Sequence, residues 1–70
     1  MDTFTAIIHQ EGEFFVAFCP ETGTVSQGKN IEEAITNLKE ATELYLEEFP
    51  ASHHSRSLIT TFEVASIAAQ

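Results

Sequence analysis

The sequence predicts an α+β fold of order β-β-β-α-β, and three observations carry that expectation. Three short segments rich in aromatic and β-branched residues come first, separated by Gly and Pro. One run with helical spacing of its apolar residues follows, from Ile31 to Phe49. An alternating segment, Leu58 to Ala65, comes last. Hairpin-linked strands alternate in direction, and a right-handed crossover brings the last strand back beside the first. The expected architecture is a four-stranded mixed sheet of order 3-2-1-4, with strand four parallel to strand one and one helix on one face.

Each element has a local reason. Residues 2–10 read as strand one, with Phe4, Ala6 and Ile8 on one face and Thr5, Ile7 and His9 on the other. Gly12 supplies the turn. Residues 14–19 form strand two, apolar on both faces, as a central strand covered twice would be. Pro20 cannot donate to a ladder and ends it. Gly23 turns the chain into a short strand at 24–27, which Gly28 closes. Asn30 is a good helix N-cap, and Glu33 completes a capping-box pattern. Ile31, Ala34, Ile35, Leu38, Ala41, Tyr45 and Phe49 make one apolar stripe, while Leu44 falls well off it. Pro50 lies just past the helix end. Residues 51–57 read as a polar loop, 58–65 as strand four, and 66–70 as a short apolar tail.

One helix covers only one face of such a sheet. The other is expected to carry Ile7, Phe15, Ala17 and Ile59, too apolar to face water, so a second copy is the expected cover. Size argues the same way. A chain of 70 residues has a marginal core, and its single cysteine, Cys19, permits no internal disulfide. A homo-oligomer, dimer or tetramer, is expected.

Eleven Asp and Glu stand against three Lys and Arg, a net charge of −8. Direct nucleic-acid binding, which needs cations to displace counterions, is not expected. A basic protein partner is the electrostatic complement. No apolar run approaches the roughly 20 residues of a membrane helix, and no signal peptide opens the chain. Together with the lone cysteine this points to the cytoplasm.

No constellation predicts catalysis, cofactor binding or a metal site. His53 and His54 are adjacent in a loop, where two rings converge poorly on one ion, and they read as solvated. Cys19 lacks a neighbouring base and reads as a structural thiol. The helix carboxylates read as a solvated face or as the complement of a cationic partner, and Gly23 and Gly28 lack phosphate-loop spacing. The chain is not expected to be an enzyme.

The stretch from Phe15 to Glu48 resembles the core of the HicB-like antitoxin family. The matching residues are Phe15, Val16, Ala17, Phe18, Pro20, Glu21, Gly23, Ser26, Gln27, Gly28, Glu32, Glu33, Ala34, Asn37, Glu40 and Ala41. Residues 59–65 look like the closing strand of the compact members, so residues 1–70 are expected to be one HicB-like domain. Thr22 departs from the pattern, standing where many members carry leucine. The resemblance implies a partial ribonuclease-H-like fold. It also implies an antitoxin that occludes a small basic HicA-like toxin, an RNA-cleaving protein. No residues follow strand four for the DNA-binding domain that many members carry, so autorepression by this chain is not expected. Glu21, Glu40, Glu43, Leu44 and Glu47 are the expected toxin-binding residues. The alternative is a stand-alone oligomeric protein of HicB-like fold with a different partner or no toxin.

Overall fold

The computed structural model describes residues 2–50 and 57–66. The expectations for residues 51–56, with His53 and His54, and for the tail at 67–70 lie outside the described residues.

Three strands and one helix form: β1 (Ile7–Glu11), β2 (Phe14–Cys19), β3 (Thr24–Gly28) and α1 (Ile31–Glu48). The strands make an antiparallel sheet of order β1-β2-β3. Gly12 and Gly23 sit at φ of 61° and 79°, backbone that side chains other than glycine adopt at a cost. The Gly23 amide donates to the Cys19 carbonyl at 2.7 Å and closes the β2–β3 turn.

Strand one begins later than the alternation at 2–10 suggests. The Thr5 amide donates to the Glu21 carboxylate at 2.9 Å instead of to a sheet ladder, so residues 2–6 run as an irregular segment. The helix starts as expected. Asn30 accepts from the Glu33 amide at 2.7 Å, and the Glu33 carboxylate reaches back to the Lys29 amide at 2.5 Å, one residue before the cap. The Phe49 amide donates to the Tyr45 carbonyl at the far end, before Pro50.

Register fixes which sheet face meets the helix. Ile8 lies opposite Ala17 and Ala17 opposite Ser26, so these share a face with Phe15 and Cys19. Ala17, Cys19, Ala34 and Leu38 are the buried core, and Phe4, Ile8 and Phe15 pack against it. The inner residues are small, which lets α1 come close. A Cβ on Gly28 would lie 2.5 Å from the Ala34 amide nitrogen.

This corrects the expected bare face. Phe15 and Ala17 lie under the helix, and Ala17 is fully buried. Ile7 pairs with Phe18, and Phe18 with Val25, on the opposite face, where all three are exposed along with Phe14. Ile59 belongs to neither face of the three strands.

The expected fourth strand is not shown: among the described residues the sheet has three strands, residues 57–66 carry no strand pairing, and the order 3-2-1-4 is not seen. Leu58 and Phe62 are 90% and 85% exposed, and Ile59 and Val64 are also exposed. Alternation records a tendency to bury one face; it does not name the surface that buries it.

Candidate protein-binding surface

α1 carries two different surfaces. Glu40, Glu43, Leu44 and Glu47 recur at helical spacing, and all four are exposed. Leu44 is 59% exposed, an apolar side chain set among three carboxylates. Glu47 and Glu48 lie at the negative end of the helix dipole, with no basic residue in the last turn. Among the described residues no Lys or Arg pairs with a carboxylate, and His9 and Glu11 share a hydrogen bond of 3.0 Å elsewhere.

Glu21, expected in the same group, is placed differently. Its carboxylate accepts from the Thr5 amide at 2.9 Å, the Thr5 hydroxyl at 2.6 Å and the Cys19 thiol at 3.4 Å. Burial pushes its carboxyl up, but these bonds and one from its own backbone outweigh that and lower it to about 2. Glu21 is a tie that holds residues 2–6 beside the end of β2.

The second surface is a groove of about 420 Å³ between that tied segment and the helix. Phe4, Ala6, Ile35, Leu38 and Leu46 line it, with Lys39 and Glu43 also on its wall. α1 packs chiefly on β3 and β2 and far less on β1.

Two residues that shape this surface, Thr24 and Thr42, were not singled out by the sequence. Thr42 is buried, and its hydroxyl bonds that of Thr24 at 2.8 Å, which in turn bonds that of Thr22 at 2.7 Å. Thr22 thus joins a hydroxyl chain at the β2–β3 turn. The recurrence of positions 34, 38 and 42 at four-residue spacing was the available signal for Thr42. Asn37 donates to the Gln27 carbonyl at 2.9 Å and fastens the helix to β3. Among the described residues, no three His, Cys, Asp or Glu side chains gather as metal ligands. No helix there is long and apolar enough to cross a membrane.

The fold and surfaces define a small α+β protein with one helix on a three-stranded antiparallel sheet. The chain is 41% identical over 66 residues to a UPF0150 protein of Helicobacter pylori (strain J99), a match spanning 86% of this chain and 92% of that protein. It is 44% identical over 52 residues to a UPF0150 protein of Synechocystis, spanning 71% of this chain and 66% of the relative. No family model and no solved structure matches it. The chain belongs to the UPF0150 family.

Proposed function

We propose that this chain is a HicB-like antitoxin, a binding protein that neutralises a small basic HicA-like RNA-cleaving toxin by occluding it. The ridge of Glu40, Glu43 and Glu47 around exposed Leu44 carries the reading. Like charges at i, i+3 and i, i+4 weaken a helix, as do carboxylates at its C-terminus. A cationic partner offsets both penalties, and Leu44 gives that contact an apolar centre. The net charge of −8 steers such a partner toward the chain. The resemblance of the segment from Phe15 to Glu48 to the HicB-like pattern names the partner class. Glu21, held by Thr5 and Cys19, is the remaining residue of the proposed toxin-binding set.

In this reading residues 1–70 are one HicB-like domain with no enzymatic activity, acting in the cytoplasm as a homo-oligomer. Leu58 to Ala65 completes the sheet beside β1, giving the order 3-2-1-4 and a partial ribonuclease-H-like architecture. A second reading, a stand-alone oligomeric protein of the same fold, is favoured by the open apolar face of Ile7, Phe18 and Val25.

Co-expression with a small basic protein encoded beside this chain, followed by pull-down and RNA-cleavage assays, tests the proposal. Tight co-purification with suppressed cleavage is expected. The triple variant Glu40→Lys/Glu43→Lys/Glu47→Lys should weaken binding by about tenfold or more and flatten its salt dependence. Unchanged affinity and salt slope would remove the ridge from the interface, and an active toxin with no complex would leave the second reading.

A further inference from the structure

The groove beside β1 and the unseated segment at 57–66 fit one another. The groove is apolar, walled by Ile35, Leu38 and Leu46 of α1. Among the described residues β1 is an edge strand, and one row of its backbone donors and acceptors has no strand partner there. Leu58, Thr60, Phe62 and Val64 alternate onto one face of the segment, the pattern of a strand that buries that face. Leu58 and Phe62 stand at 90% and 85% exposure, away from their own groove.

We infer that residues 58–64 of one copy add to the β1 edge of a second copy and fill its groove, with the exchange reciprocated. The inference rests on the fourth-strand reading above and deepens it by assigning the strand to another chain. A second copy is the occupant because Leu58 and Phe62 stand exposed instead of lining the groove of their own chain. Two chains of net charge −8 repel, but residues 57–66 carry a single charged side chain, Glu63, and the groove wall holds Lys39 beside Asp2 and Glu43. This segment therefore brings little repulsion into the contact. A closed two-fold exchange leaves neither edge open to further addition, unlike a one-sided contact. Main-chain pairing along β1 would provide affinity, and Leu58, Phe62 and Val64 in the groove would set the register.

Sedimentation equilibrium of the full chain should give twice the chain mass at micromolar concentration, and Phe62→Asp should return it to the single-chain mass with its helical circular dichroism retained. Exchange is then read directly with Cys19→Ser backgrounds, one carrying Lys39→Cys and the other Thr60→Cys. Mixed and oxidised, these two chains can form the hetero-disulfide only between copies, and that product should dominate over either homodimer. A single-chain mass throughout, or a link that forms only inside one chain carrying both cysteines, overturns exchange while keeping the fourth strand. A dimer in which position 60 links to position 39 neither within nor between chains overturns both.

Discussion

Gly28→Ala tests whether the signature segment before the helix is architecture. An added Cβ would lie 2.5 Å from the Ala34 nitrogen, 2.8 Å from the Glu33 carbonyl carbon and 2.9 Å from the Glu33 Cβ. Ordinary contact begins near 3.4 Å, so the first turn of α1 must retreat by about 0.9 Å (3.4 less 2.5). Two of the three obstructing atoms are backbone, so no rotamer change relieves them. The retreat stretches the 2.7 Å Asn30 cap and the 2.9 Å bond from Asn37 to the Gln27 carbonyl. Overpacking of this kind costs about 1–3 kcal/mol, and a lost cap about 1. Stiffening of the unfolded chain returns about 0.4–1. A net loss of about 2 kcal/mol is expected, which for a domain this small lowers the melting temperature by roughly 8–16 °C. Urea unfolding followed by circular dichroism measures it as a lower midpoint at unchanged slope. Gly23→Ala is the control, since nothing lies within 4 Å of its Cβ and only the φ of 79° penalises it. Equal or greater stability of Gly28→Ala would refute the close-approach argument and reopen the segment as a binding loop.

Three further outcomes follow from the hydrogen bonds. Glu21 has its carboxyl lowered to about 2 in the folded chain, so it stabilises the fold above its ordinary value of ~4.3 and loses that effect as pH falls toward 2. The stability difference between the parent chain and Glu21→Gln should be full at pH 7 and shrink between about pH 5 and 2; a difference independent of pH would contradict the assignment. Thr42→Val keeps the shape and removes the hydroxyl bonded to Thr24, at an expected cost of about 1 kcal/mol in urea unfolding, and a more stable variant would show the hydroxyl chain to be idle. Asn30→Ala should cost about 1 kcal/mol and Asn30→Ser much less, a ranking that thermal melts would invert if the cap did not matter.

What was legible in the sequence is what local chemistry determines. Asn30, Glu33 and Pro50 mark the helix because capping and proline effects act within a few residues, and Gly12 and Gly23 mark the hairpins for the same reason. The inner face of β2 was not legible. Both of its faces are apolar, so alternation alone could not decide between Phe14, Val16, Phe18 and Phe15, Ala17, Cys19; the register and the closeness of α1 decided it. Residues 58–65 alternate as a strand does, yet they show no strand and stand exposed, because the surface that would bury one face is a tertiary property. For the candidate surface, helical spacing was enough to group Glu40, Glu43, Leu44 and Glu47. It could not show that Glu21 is engaged with Thr5 and Cys19, since those contacts join positions 16 and 2 residues apart across a turn.

The small inner residues have a thermal consequence. Among the described residues, the largest side chain wholly out of solvent is Cys19. The heat-capacity rise on unfolding tracks the apolar surface newly exposed, and here there is little to expose. The stability curve of the single chain is accordingly shallow. Calorimetry should record a small enthalpy spread over a wide interval, and cooling should weaken the fold little. A narrow, tall transition that sharpens with protein concentration would instead indicate an assembled form, since association would add buried apolar area.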